Sequence, residues 1–151
     1  MKNTSIIIIL VTIVFAGGIW WSKSLQESSD DSTIISSRGV HWHPQLAIYL
    51  NGEKQNIPAN IGLIGGHNPM HTHDPDGVVH LEYDGVVRED DTKLGRFFGL
   101  WGKQFNEECI FDYCNDEEGG HHMMMFVNGK ENFEFGNYMM RDGDKIEIRY
   151  E

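Results

Sequence analysis

At 151 residues the chain has room for one domain once its ends are set aside, and with 40% apolar and 11% aromatic residues it can bury a core, which excludes a disordered class. The net charge is −11; beyond the two flanking lysines Lys2 and Lys23, residues 24–151 hold 10 basic and 23 acidic residues, a net of −13. Such a field repels phosphates and anionic headgroups, which argues against a nucleic-acid partner, and it draws cations.

Ile6 to Trp21 is an almost uninterrupted apolar run preceded by Lys2. It is intermediate in length between the hydrophobic part of a secretory signal, about 7–15 residues, and a full span of about 20. No small-x-small cleavage site follows it, and Trp20-Trp21 with Lys23 resembles an interfacial anchor, so residues 1–23 are expected to form a transmembrane signal anchor. The positive N-terminus then stays in the cytoplasm, giving a single-pass membrane protein with its C-terminal domain outside the cytoplasm; secretion after cleavage is the alternative. Residues 24–38, rich in Ser and Asp, are expected to be a flexible stalk, and the folded domain to occupy residues 39–151.

Apolar and polar residues alternate from Val40 to Leu50, with Trp42, Leu46, Ile48 and Leu50 on one face. This is the period of a strand, and Asn51-Gly52 is a hairpin turn returning the chain through Glu53 to Ile57. Val78 to Tyr83 alternates again. Leu94, Phe97, Phe98, Trp101 and Phe105 recur at helical spacing, with Asp91 or Thr92 placed as N-cap. His122 to Val127 and Lys145 to Tyr150 read as closing strands, with Asn128-Gly129 and Asp142-Gly143 as turns. The expected fold is α+β, a small mixed sheet with one main helix. The C-terminal strands resemble those that close β-grasp domains, including sulfur carriers, but the chain ends Tyr150-Glu151 where a sulfur carrier ends in Gly-Gly.

Two cysteines, Cys109 and Cys114, stand five residues apart. In an oxidising exterior they are most simply a local disulfide, with free thiols or metal ligation as the alternatives.

The chemistry is concentrated in histidine. Of eight, five fall in two groups, His41-Trp42-His43 and His71-Thr72-His73-Asp74 followed by His80. An extended His-x-His places both imidazoles on one face, so two neighbouring strands can bring four nitrogen donors together. Imidazole suits zinc, copper, nickel and iron. His41, His43, His71, His73 and His80 are therefore expected to build one mononuclear transition-metal site. Asp74 is placed to orient a ligand or bind directly, and Glu82, on the face of His80, to supply a carboxylate or a general base. Met70, Met123 to Met125 and Met139-Met140 offer thioethers that select copper(I), which puts copper narrowly ahead of zinc; methionine is also ordinary core filler. A lone strand histidine is ordinarily a surface or core residue, and His67, His121 and His122 are assigned to that class.

The combination His41-Trp42-His43-Pro44-Gln45-Leu46, Ile57-Pro58-Ala59-Asn60-Ile61-Gly62, His71 to Glu82 and Leu94 to Gly102 resembles a largely uncharacterised family of exported or membrane-anchored prokaryotic domains. The resemblance covers most of residues 41–150. It implies an exported domain and transfers no reaction. No P-loop, nucleophile elbow, dinucleotide fingerprint or His-Glu-x-x-His is present. The leading expectation is metal buffering or delivery, with an envelope protein as a possible partner. A metalloenzyme using the same site, and an interaction subunit of an envelope complex whose histidines only build a hydrogen-bond network, are the alternatives.

Overall fold

In the computed structural model, residues 17–18, 33–116 and 118–151 are described. The chain divides into residues 1–33 and a compact unit from Ile34 to Glu151. Among the described residues no helix is long and apolar enough to cross a membrane. The anchor expected over residues 1–23 lies, apart from Gly17 and Gly18, outside the described residues.

The unit is a mixed α+β fold with several small sheets. In chain order the strands are β1 (Ile34–Ser36), β2 (Val40–Trp42), β3 (Gln45–Leu50), β4 (Glu53–Lys54), β5 (Met70–His71), β6 (His80–Tyr83), β7 (Val87–Arg88), β8 (Cys109–Ile110), β9 (Tyr113–Cys114), β10 (Met123–Val127), β11 (Lys130–Glu131) and β12 (Lys145–Tyr150). The main helix, α1, spans Leu94–Trp101. β1 pairs with β7, so residues 34–36, within the stretch expected as stalk, belong to a sheet.

The largest sheet has the order β11-β10-β12-β3-β4. β12 runs parallel to β3, aligning Ile146 with Leu46, Ile148 with Ile48 and Tyr150 with Leu50. β10 is antiparallel to β12, with Met125 opposite Ile148. Because side chains alternate along a strand, these residues share one face, and all are buried in one cluster with Leu94, Phe97 and Phe98 of α1. Asn51 and Gly52 both have positive φ, 51° and 80°, the conformation that a two-residue hairpin joining β3 to β4 requires.

Helix α1 is shorter than its apolar spacing suggests. Gly102, left-handed at φ 70°, ends it, and the Lys103 N–H reaches back to the Phe98 carbonyl. Phe105 lies beyond the helix and stacks on Phe98, ring centroids 4.3 Å apart. At the other end neither Asp91 nor Thr92 caps it. Lys93 occupies that position, and the Leu94 N–H is satisfied by the Tyr138 carbonyl at 2.8 Å. A tertiary partner thus replaces the local cap.

The alternation from Val40 to Leu50 is not one strand. It breaks at His43-Pro44: Pro44 has no N–H to give a ladder, and its carbonyl accepts from Val79. β2 joins a second sheet of order β2-β6-β5, while β3 joins the large one. The small sheet carries the histidines. Its row Trp42–Leu81–Met70 turns toward the core, and the adjacent rows, His41 opposite Glu82 and His80 opposite His71, take the other face. β8 and β9 form a hairpin whose directly paired residues, Cys109 and Cys114, are joined by a disulfide.

Candidate metal centre

His71 is placed by a set of backbone contacts. The Thr72 hydroxyl donates to the Pro58 carbonyl at 2.8 Å and accepts from the Ile61 N–H at 3.1 Å. The Thr72 N–H and carbonyl bond Ile61 and Asn60. Thr72 is fully buried, so the segment from Ile57 to Gly62 acts as a shelf under His71-Thr72-His73. Gly62 closes the shelf: its φ is +78°, and a Cβ there would stand 2.4 Å from the Met70 carbonyl and 3.3 Å from the His71 Cβ. Only glycine lets these backbones approach so closely.

The loop after His73 then returns the chain to the sheet at β6. Asp76 accepts from the Val78 N–H at 2.9 Å, and the Gly77 carbonyl accepts from Leu46, which brings His80 alongside. Ring centroids of His71 and His73 are 4.6 Å apart, as are those of His73 and His80. His71 and His80 stack at 5.4 Å.

The orientation of His71 is determined by its hydrogen bond. Its Nδ1 lies 2.9 Å from the Asn68 carbonyl, an acceptor only, so Nδ1 carries the proton and Nε2 of the neutral ring carries a lone pair. That Nε2 faces His73 Nε2 at 3.1 Å. His80 Nδ1 is buried without a hydrogen-bond partner among the described residues, its nearest carboxylate oxygen being Glu82 Oε1 at 3.5 Å.

Donor atoms of His71, His73, His80 and Glu82 all lie within 4.8 Å of one another, a group that could hold a metal ion. For ligands about 2.0–2.1 Å from a tetrahedral ion, neighbouring donors stand about 3.3 Å apart. The His71–His73 spacing meets that requirement, and the others need small side-chain adjustments. A second group is His41, His43 and Glu82. His41 Nε2 lies 3.6 Å from Glu82 Oε1. The His43 N–H donates to Asp142 at 2.9 Å, and its ring stands 4.9 Å from that of His80.

Burial lowers the pKa of His71, against a raising effect from the Asn68 hydrogen bond and Glu82. Burial also lowers that of His80, helped by His73, His43 and His71. Both are thereby kept neutral, the form that ligates metal. For Glu82 burial pushes upward, but the surrounding histidines, His71 foremost, bring its carboxyl below the ordinary value.

Compared with known protein families, with curated proteins and with solved structures, the chain finds no match. The centre is therefore read from its own geometry.

That geometry alters several sequence expectations. All five histidines lie near Glu82, the mutually close donors falling into two sets that share it, with His43 and His80 4.9 Å apart ring to ring. Met70 is not a donor: next to His71 on an alternating strand, it turns to the opposite face and is fully buried in the core. Met123, Met125 and Met140 are core residues as well, so they offer no sulfur to the histidines. Asp74 is exposed and belongs to neither group. His67, set aside in the sequence, comes within 4.7 Å of the His71 ring. His121 remains apart from both groups and stacks on Tyr150. Asn68, Thr72 and Asp142 support the site through contacts that nothing in the local pattern announces.

Proposed function

We propose that residues 34–151 bind one divalent transition-metal ion through His71, His73, His80 and Glu82, and that the domain buffers or delivers this ion outside the cytoplasm. The observation that carries this is His71, whose Nδ1–H is committed to a backbone carbonyl while Nε2 faces a second imidazole. Metal-ligating histidines characteristically donate their other ring N–H in this way, which fixes tautomer and direction. The unpartnered Nδ1 of His80 supports the same conclusion, since a buried polar atom without a partner is costly.

The donors are nitrogen and oxygen, which suits zinc or copper(II); the Irving–Williams order makes copper(II) the tighter of the two. With the buried methionines turned away, copper(I) loses its support. The apolar run Ile6 to Trp21 supports a membrane tether, and the Cys109–Cys114 disulfide supports an oxidising compartment, where an envelope protein would receive or supply the ion. A β-grasp assignment is supported by the order of the large sheet, with the parallel β3 and β12 at its centre and a hairpin on either side.

The test is competitive titration of the purified full chain with zinc and copper(II) against chelators of known strength, beside a His71→Ala/His73→Ala variant. The expected result is one tight equivalent, weakened about 100-fold or more in the variant, since loss of supporting residues alone costs about 10–100-fold. Binding no stronger than to an unrelated acidic protein, or unchanged in the variant, would overturn the proposal.

A further inference from the structure

Glu82 is shared by two sets of mutually close donors. One set holds His71, His73 and His80, the other His41 and His43, and among the described residues Glu82 is the member common to both; the two sets meet where the His43 ring stands 4.9 Å from that of His80. The Glu82 Oε1 is 3.5 Å from His80 Nδ1 and 3.6 Å from His41 Nε2. Register explains the position: on β6, His80 and Glu82 share a face two residues apart, with β5 presenting His71 opposite His80 and β2 presenting His41 opposite Glu82. The central strand therefore supplies the carboxylate, and each outer strand supplies imidazole from one side.

We propose that the centre is dinuclear: a second divalent transition-metal ion binds at His41 and His43, with the Glu82 carboxylate bridging it to the ion at His71, His73 and His80. A carboxylate has two oxygens, and bridged pairs of ions stand about 3.5–4 Å apart. Two ions at that spacing use all six donors, which exceed the four of a tetrahedral ion.

The two positions differ in exposure. The first is built on a fully buried His71, while His41 and His43 leave 67% and 41% of their side chains in solvent. A cleft of about 680 Å³ opens over Glu82 and is lined by His41, His67 and Arg38. Of the second ion's three protein donors, His41 and Glu82 line this cleft and His43 does not; the ion's remaining positions are filled by water or an incoming ligand. It is the weaker, exchangeable ion, and the place where metal enters or leaves.

This rests on the first ion binding as proposed above, and the experiment separates the two. Copper(II) is added stepwise to the full chain and followed by electron paramagnetic resonance beside chelator competition. The first equivalent should give an isolated copper spectrum, and the second should broaden it, lower its integrated intensity and add a half-field transition. His41→Ala/His43→Ala should abolish the second phase while shifting the first affinity less than about threefold, as expected where the first ion's ligands are untouched. Glu82→Gln should remove the coupling between any two bound ions. A second equivalent that gives an uncoupled spectrum, or that persists in His41→Ala/His43→Ala, overturns the dinuclear centre and leaves the first site standing. Absence of a tight first equivalent overturns both.

Discussion

His71 and His41 occupy the same place in two identical His-x-His spacings, yet the fold treats them differently. His71 is fully buried with its Nδ1 2.9 Å from the Asn68 carbonyl, whereas His41 keeps 67% of its side chain in solvent and meets Glu82 at 3.6 Å. The contrast comes from what lies beneath each pair. His71-Thr72-His73 rests on residues 57–62 through the Thr72 hydrogen bonds, while after Trp42 the chain leaves the small sheet at Pro44. Spacing brings imidazoles to one face; burial and second contacts decide which become a preorganised site.

The contrast can be broken most strongly at the ligands. In single substitutions, His71→Ala should weaken the tight equivalent by about 100-fold, roughly 2.8 kcal/mol, and His41→Ala by less than about threefold, measured by competition with a chelator. Equal losses would erase the distinction between the two pairs. Next comes the shelf: Gly62→Ala should cost about 1–3 kcal/mol of stability from the positive φ alone, with the approach to the Met70 carbonyl adding to it. Denaturant midpoints read this effect, and metal affinity should fall with it because His71 is displaced.

Thr72→Val keeps the shape and removes the hydroxyl, leaving the buried Ile61 N–H and Pro58 carbonyl short of a partner. The expected loss is about 1–3 kcal/mol, readable by urea unfolding of the metal-free chain, while Thr72→Ser should retain most of the stability. A comparable substitution between the other pair, Trp42→Phe, leaves the tight equivalent in place.

The smallest effect is on pH. The unfolded chain takes protons at His71 and His80 near the ordinary 6.5, and burial holds both lower in the folded protein. As pH falls through 6.5 the unfolded state gains protons first, so stability present above that value declines. The metal-free protein should unfold at lower urea at pH 5.5 than at pH 7.5, and His71→Ala should reduce the difference more than His41→Ala.

Much of this was legible in the chain. The alternation of Lys145 to Tyr150 and the Asn-Gly turns depend on neighbours only, and the His-x-His pairs announce their shared faces. What was not legible depends on distant partners. Pro44 was visible, but that it sends β2 and β3 to different sheets is decided by Val79 and by pairing with β6 and β12. Met70 beside His71 looks like a soft donor until alternation is combined with knowledge of which face is the core. His43 is held by Asp142, 99 residues away, and residues 57–62 read as a break in regular structure until Thr72 is seen seated on them.

The central claim is that His71, His73, His80 and Glu82 converge on one ion, and X-ray absorption on the full chain loaded with one equivalent of zinc tests it most directly. The account predicts a nitrogen and oxygen shell at about 2.0–2.1 Å with the multiple scattering of three imidazoles, reduced in His71→Ala/His73→Ala. A shell with one imidazole or none, or sulfur at about 2.3 Å, would contradict it.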